Sequence, residues 1–199
     1  MAKIALFGGA FDPIHCGHLA VAKHALMALE LDEVRFIPCA DPVHKPACQA
    51  SPWQRAAMIA LAINGHARLI LDTRELERPS PSYAIDTIEQ FIHAQGSTHH
   101  LYWLLGADAL MGFEAWHRWQ HIMALVDLVV VNRPSQTEVL VKAQAALLQR
   151  RLQEKGHALH RLAMEPHFQA SSQIRKHLSD DMALPALVKP YIEAEGLYR

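Results

Sequence analysis

Residues 3–31 read KIALFGGAFDPIHCGHLAVAKHALMALEL, and this stretch decides the fold. A short apolar run of strand length, residues 3–7, is followed by two glycines, a proline and then apolar residues at helical spacing over residues 19–31. The pattern predicts a strand, a turn and a helix in direct succession. The turn, which we call the opening turn (residues 8–18), also carries two histidines, His15 and His18, so its role is either structural or chemical.

The alternation of strand and helix continues along the chain. Continuous apolar runs bounded by helical patterns are typical of parallel strands that are covered on both faces. The sequence therefore predicts an α/β fold, a parallel sheet with helices on both faces. It is expected to form one domain over residues 1–199, with a helical C-terminal part from about residue 170. Further strands are predicted at residues 34–37, 69–71, 101–105, 128–131 and 159–164.

Composition argues against several classes of protein. A hydrophobic content of 51%, a charged content of 20% and a formal net charge of -1 do not fit a disordered chain or a general nucleic-acid binder. No apolar run approaches the roughly 20 residues that span a bilayer, and no secretory leader is recognised. We therefore expect a cytoplasmic protein without membrane association. The cysteines lack a CxxC pair and are expected to be reduced thiols: Cys16, Cys39 and Cys48.

The position of the opening turn favours an anion site. Parallel sheets bind ligands at the carboxyl ends of their strands, where helix N-termini attract negative charge. Gly8 and Gly9 would let the backbone approach a phosphate, and His15 and His18 could donate to one ligand. The alternative is structural: the glycines shape the turn and His15 caps the helix. The turn matches neither the P-loop, nor the G-x-G-x-x-G pattern, nor the G-x-S-x-G elbow.

Histidines are frequent in this chain, with 14 in total. His15, Cys16 and His18 could in principle bind a metal, but their short spacing argues against a closed tetrahedral site, so no metal ligands are assigned. Several other histidines share no spacing, are expected at the surface and are assigned no chemistry: His99, His100, His117, His121, His157, His160 and His167.

The segment GGAFDPIHCGHL at residues 8–19 resembles the GG-[TA]-FDP-x-H-x-GH signature of bacterial nicotinate mononucleotide adenylyltransferases, members of the nucleotidyltransferase superfamily with an H-x-G-H element. QASSQIRKHL, residues 169–178, matches the family's ISST-x-IR least well, because Ala170 and Ser172 replace its usual Ser and Thr. Other segments that resemble the family are IPCADPVHK (37–45), PSYAIDT (81–87), LLGADAL (104–110), FEAWHRW (113–119), NRP (132–134) and GLYR (196–199).

The resemblance implies a single-domain, Rossmann-like nucleotidyltransferase fold. It also implies transfer of AMP from ATP to nicotinate mononucleotide, which gives deamido-NAD and pyrophosphate in NAD biosynthesis. Mg²⁺ would be bound through the ATP phosphates. Because the nucleophile is already a substrate phosphate, the protein would act by positioning and charge stabilisation.

The resemblance implies a role for each matching residue. The catalytic residues would be His15, His18, Lys45 and Arg175. The ATP-binding residues would be Gly8, Gly9, Ala10, Phe11, His15, His18, Gly106, Asp108, Ser172 and Arg175. The residues that bind the nicotinate nucleotide would be Lys45, Tyr83, Ala84, Trp116 and Arg133.

Some alternatives stay open at this point. Asp108 could bind ribose hydroxyls or N-cap the helix that follows it, Trp116 could stack on the pyridine or pack in the core, and Asp12 is expected to stabilise the opening turn. The acceptor could instead be nicotinamide mononucleotide or phosphopantetheine, and the chain could be a non-catalytic nucleotide-binding module. A homo-oligomer is also left open.

Overall fold

The protein is known here from a computed structural model, which describes residues 1–42, 47–79, 81–96, 98–132, 138–164, 171–176 and 183–199. Within these residues, strands form one parallel sheet in the order β3-β2-β1-β4-β5-β6. The strands are β1 (Lys3–Gly9), β2 (Glu33–Pro38), β3 (Leu69–Leu71), β4 (His100–Gly106), β5 (Asp127–Asn132) and β6 (Leu159–Ala163). The predicted parallel sheet is confirmed. Its strand order reverses between β1 and β4, so a crevice for ligands is expected at their carboxyl ends.

Helices connect and follow the strands. Their bounds are α1 (Cys16–Ala28), α2 (Pro52–Ala62), α3 (Ala84–Gln95), α4 (Ala107–Met111), α5 (Trp119–Ile122), α6 (Glu138–Gln153), α7 (Ser171–Lys176) and α8 (Val188–Ala194), with a 3₁₀ turn at Phe113–Ala115. Helix α2 begins as the sequence predicts, with a reciprocal capping box between Ser51 and Gln54. In the described part of the chain, no helix has the length and apolar character needed to cross a membrane.

Helix α1 begins three residues before the apolar pattern and ends three residues earlier than predicted. It starts at Cys16 because His15 caps it, and it ends at Ala28 because Glu30 adopts a left-handed backbone with φ of 52°. The amide of Leu31 then donates to the carbonyl of Leu26 and closes the last turn. The early start brings both histidines of the opening turn to the first turn of the helix.

Two apolar clusters cover the two faces of the sheet, as predicted. Alternate side chains of β1 point to opposite faces: Phe7 belongs to the cluster with α1, α2 and α8, whereas Leu6 belongs to the cluster with α3 to α6. The neighbouring strand β4 divides in the same way, with Leu104 on the first face and Trp103 on the second. The carboxyl ends of β1 and β4 therefore lie between two packed helical layers.

Candidate active site

The opening turn is closed by its two histidines. The Nδ1 atom of His15 accepts from the backbone N–H of Gly17 at 3.1 Å, and the Nδ1 atom of His18 accepts from the backbone N–H of His15 at 3.3 Å. This is a capping box built from two imidazoles, whose ring centroids lie 3.7 Å apart. A ring nitrogen that accepts a hydrogen bond carries no proton, so each neutral ring carries its proton on Nε2. The capping role and the presentation of an Nε2–H donor are therefore compatible.

The two glycines of the opening turn have a packing reason that the sequence did not reveal. A Cβ atom on Gly8 would lie 2.8 Å from Cζ2 of Trp103, a buried side chain of β4. A Cβ atom on Gly9 would lie 3.0 Å from Cζ of Phe11. Phe11 is buried and has a positive φ of 50°, so a contact with ATP would have to come from its backbone. The glycines thus admit two aromatic rings beneath the turn.

Asp12 ties the opening turn to three other segments. Its carboxylate accepts from the backbone N–H groups of Gln49 and Ala50, at 2.9 and 3.1 Å, and from the hydroxyl of Tyr198 at 2.7 Å. Arg175 donates to its backbone carbonyl and lies 3.6 Å from its carboxylate. Burial and the neighbouring carboxylate raise the pKa of Tyr198 far above its usual value, so its hydroxyl remains a donor. Asp12 stabilises the turn, as expected.

Arg55, on α2, is fully buried and binds backbone carbonyls of the segments that follow β1 and β2. It donates to Ala10 O at 2.6 Å, to Cys39 O at 2.6 Å, to Ala40 O at 3.3 Å and to Ala50 O at 3.3 Å. The segments after β1 and β2 are therefore held by one guanidinium. Burial raises the pKa of the Cys39 thiol to about 11, so this thiol is protonated at neutral pH.

The start of α3 lies beside the segment that follows β2, because the backbone N–H of Ala40 donates to the hydroxyl of Ser82 at 3.2 Å. Tyr83 is the N-cap of α3 and Ala84 its first residue, and among the described residues no side chain caps this helix. The Tyr83 ring packs against His117, with centroids 4.5 Å apart.

Trp116 and Asp108 follow β4 and are placed differently. Trp116 is half-buried, and its ring centroid lies 5.4 Å from that of Phe113 and 6.4 Å from that of Trp103. Asp108 is exposed in the first turn of α4. Its alternative role as an N-cap is wrong, because the helix begins at Ala107 and its N-cap is Gly106.

The remaining predicted site residues lie on α7 or outside the described residues. Ser172 is exposed on α7, and Arg175 on the same helix reaches the opening turn through Asp12. Lys45 and Arg133 lie outside the described residues.

A buried polar network next to α3 was not predicted from the sequence. Glu75 is buried and accepts from the Thr87 hydroxyl at 2.5 Å, and Arg78 lies 3.7 Å from its carboxylate. Burial raises the pKa of Glu75, and the Thr87 hydroxyl and the Arg78 charge oppose this shift only in part. The segment between β3 and α3 had the composition of a loop, and only the resemblance to PSYT-x-DT indicated a role for Thr87.

Three histidines without an assigned role surround Asp127 at the amino ends of the strands. His157 Nδ1 lies 3.0 Å from Oδ1, whereas His160 Nε2 and His100 Nε2 lie 2.9 and 3.1 Å from Oδ2. Burial alone would raise the pKa of Asp127, but hydrogen bonds from His160, the backbone of Ala158 and His157 hold it well below its usual value. These three histidines are partly exposed, and their pairing with a buried carboxylate was not predicted from the sequence. Among the described residues, no His, Cys, Asp and Glu side chains form a metal-binding group of three or more.

Comparisons with known proteins agree with this architecture. The family model described as cytidylyltransferase-like matches residues 6–177. A probable nicotinate-nucleotide adenylyltransferase of Bordetella petrii is 40% identical over 203 residues, which cover 100% of both chains. One from Pseudomonas fluorescens is 36% identical over 208 residues, covering 99% of this chain and 97% of the relative. The solved nicotinic acid mononucleotide adenylyltransferase of Plasmodium falciparum, complexed with NaAD, superposes with a TM-score of 0.76 at 18% identity, covering 100% of this chain and 98% of that one. At that identity the superposition supports the fold.

Proposed function

This chain belongs to the nicotinate-nucleotide adenylyltransferases of the cytidylyltransferase-like family, and from that premise we propose that it transfers AMP from ATP to nicotinate mononucleotide. A phosphate oxygen of the acceptor attacks the α-phosphorus as the bond from that phosphorus to the bridging oxygen breaks. The products are deamido-NAD and pyrophosphate. The observation that carries the proposal is the histidine capping box at the carboxyl end of β1.

The capping box supports the proposal because it fixes two donors without a proton-transfer role. The nucleophile needs no deprotonation by the protein, so catalysis requires fixed donors near the phosphate oxygens. The Nδ1 atoms of His15 and His18 are held by backbone N–H groups, which orients both rings before substrate binds. We assign their Nε2–H groups to the ATP phosphates, with His18 at the α-phosphoryl group.

The remaining ATP contacts are assigned to the carboxyl ends of β1 and β4 and to α7. The backbone at residues 8–11 and Gly106 would border the nucleotide, and Asp108 would accept from ribose hydroxyls. Ser172 and Arg175 would contact the phosphates that leave. The last assignment is supported by the bond from Arg175 to the Asp12 carbonyl, which holds its side chain against the opening turn.

The nicotinate nucleotide is assigned to the start of α3 and to Trp116. Helix α3 has 12 residues and, within the described part of the chain, no side-chain cap, so the backbone N–H groups at Tyr83 and Ala84 could donate to a carboxylate. Trp116 would stack on the pyridine, although the ring also packs against Phe113. Lys45 and Arg133 are proposed to contact the acceptor on the resemblance alone.

Mg²⁺ is proposed to accompany ATP and would neutralise phosphate charge during the transfer. The donor set of the opening turn fits a metal held by phosphates and water. Both carboxylate oxygens of Asp12 already accept hydrogen bonds, so this buried group serves the fold.

We infer a single domain over residues 1–199, since Ile174, Leu184, Val188 and Ile192 join the same apolar cluster as α1 and α2. A cytoplasmic location is proposed from the sequence alone.

The test is pyrophosphate release by the purified chain with ATP and Mg²⁺. Nicotinate mononucleotide, its amide and phosphopantetheine are compared as acceptors, with a reaction lacking acceptor as the control. We expect the highest kcat/KM with the acid. Release only with the amide or phosphopantetheine would replace the assigned acceptor, and nucleotide binding without release would indicate a binding module.

A further inference from the structure

Arg78 binds the peptide group between Tyr83 and Ala84. In the proposed function, the nicotinate carboxylate is bound at this peptide group. The Nη2 atom of Arg78 donates to the carbonyl of Tyr83 at 3.0 Å and to the hydroxyl of Thr87 at 2.7 Å. Its Nη1 atom donates to Oε1 of Gln90 at 3.3 Å. The guanidinium therefore binds the N-cap residue and the first turns of α3 together.

We propose that Arg78 is a positioning residue that makes the enzyme prefer the acid nucleotide over its amide. The inference rests on the proposed function, in which the carboxylate lies at Tyr83 and Ala84. The carbonyl of Tyr83 and the N–H of Ala84 belong to one planar peptide group. A charge-assisted hydrogen bond to the carbonyl fixes this plane and polarises the N–H, which strengthens its bond to an acceptor.

The chemistry of the two acceptors explains the discrimination. A carboxylate offers two charged acceptor oxygens, whereas a carboxamide offers one neutral oxygen and an NH₂ group that can only donate. A backbone N–H that is fixed and polarised therefore gains more from the acid. If the amide turns its NH₂ group to the same place, two donors face each other and a hydrogen bond is lost.

Glu75 limits the long-range electrostatic effect of Arg78. Its carboxylate lies 3.7 Å from the guanidinium and offsets the positive charge at longer range. The long-range attraction between Arg78 and the nicotinate carboxylate is therefore weak. The effect passes through the directed bond to the Tyr83 carbonyl, which a neighbouring cation without that bond would not reproduce.

Arg74 provides a matched control in the same segment. It pairs with Asp72 through two nitrogens, at 2.8 and 2.7 Å, and lies over the ring of Phe91. Like Arg78, it is a largely buried arginine between β3 and the body of α3, with a side chain that is 12% exposed against 16%. Its described hydrogen bonds do not include the carbonyl of Tyr83.

The experiment compares wild type with Arg78→Gln, Arg78→Lys and Arg74→Gln. For each, kcat/KM is measured for nicotinate mononucleotide and for its amide at saturating ATP, together with KM for ATP and the Tm. In Arg78→Gln we expect the acid-to-amide ratio of kcat/KM to fall at least about tenfold, mainly through KM for the acid, because a charge-assisted bond is lost. The acid-to-amide ratio of Arg78→Lys should lie between those of wild type and Arg78→Gln. KM for ATP should change little.

The controls separate this inference from its premise. If Arg78→Gln lowers the Tm like Arg74→Gln and leaves the ratio unchanged, Arg78 is merely structural and the inference is wrong. If Arg78→Gln does not fold, the ratio in Arg78→Lys decides, since an unchanged ratio there also rejects it. A wild type without activity on the acid overturns the proposed function instead, before any variant is compared.

Discussion

The histidines of the opening turn combine two roles in single side chains. Ordinary capping boxes use Ser or Thr with Glu or Gln. Here His15 and His18 supply both acceptors through Nδ1, and each neutral ring carries its proton on the other nitrogen, Nε2. Replacement by alanine would therefore remove a cap and a donor at once, which confuses stability with catalysis.

A substitution at His18 can separate these roles. His18→Gln keeps a side-chain acceptor at the third helical position, so the Tm should stay near that of wild type. We expect kcat to fall about 10²- to 10³-fold, because the glutamine NH₂ group, with its amide oxygen held in the cap, does not occupy the position of the imidazole Nε2–H donor. His18→Ala, the matched comparison, should lose similar activity and about 1 kcal/mol of stability as well. Steady-state kinetics and thermal melts measure both, and near-normal kcat in the glutamine variant would contradict the role of the imidazole.

At the scale of elements, the segments after β1 and β2 are held by buried polar side chains from distant parts of the chain. Arg55 binds carbonyls of both segments. The carboxylate of Asp12, in the segment after β1, accepts from the hydroxyl of Tyr198, which is 186 residues away in the sequence. None of these bonds follows from local propensity. They form because each strand end leaves backbone groups that must find partners when they are buried.

The bond between Tyr198 and Asp12 allows a direct test of this arrangement. In Tyr198→Phe the buried carboxylate loses a donor, and the free energy of unfolding should fall by about 1.5 to 3 kcal/mol. Tyr191→Phe on α8 is the control, because its ring also packs against the same apolar cluster while Asp12 keeps its partners. Urea denaturation measures both variants. Equal stability of the two would show that the hydroxyl of Tyr198 contributes nothing.

The elements were largely predictable, whereas the polar contacts between them were not. Apolar runs identified the strands because a parallel sheet covered on both faces needs them. The first turn of α1 precedes the apolar pattern that predicted the helix, and the cap by His15 was one of two alternatives, since histidine is not among the usual capping residues. The cluster around Asp127 escaped notice because its histidines are 27 to 33 residues away in the sequence and meet only when β4, β5 and β6 pair.

At the scale of the whole molecule, the two ends of the sheet have different tasks. The carboxyl ends carry the proposed nucleotide site. The amino ends carry Asp127, buried among His100, His157 and His160. We therefore expect changes at Asp127 to affect stability and to leave the kinetic constants of the folded enzyme unchanged.

Asp127→Asn tests this division. Loss of the buried charge should lower the free energy of unfolding at pH 7 by about 3 kcal/mol. Asp32→Asn, an exposed carboxylate at the same end of the sheet, should change it by less than about 1 kcal/mol. Unfolding in urea and kcat at 25 °C are the measurements. A large loss of kcat in a folded Asp127 variant would contradict the division.

The stabilising effect of Asp127 should also depend on pH. Its pKa is lowered by folding, so its contribution is complete above the unfolded value of about 3.9 and is lost as pH falls towards the folded value. The difference in unfolding free energy between wild type and Asp127→Asn should therefore be smaller at pH 3 than at pH 7. An equal difference at both values would show that the carboxylate is not specifically stabilised.

The contact between Gly8 and Trp103 makes the intrinsic fluorescence of Trp103 a probe of the opening turn. The indole is only 3% exposed, lies directly beneath the opening turn, and has an N–H group without a hydrogen-bond partner among the described residues. Its emission should therefore respond to the packing of the turn above it. With Trp53, Trp116 and Trp119 replaced by phenylalanine, a single fluorophore would signal the arrival of ATP phosphates at β1 without any attached dye.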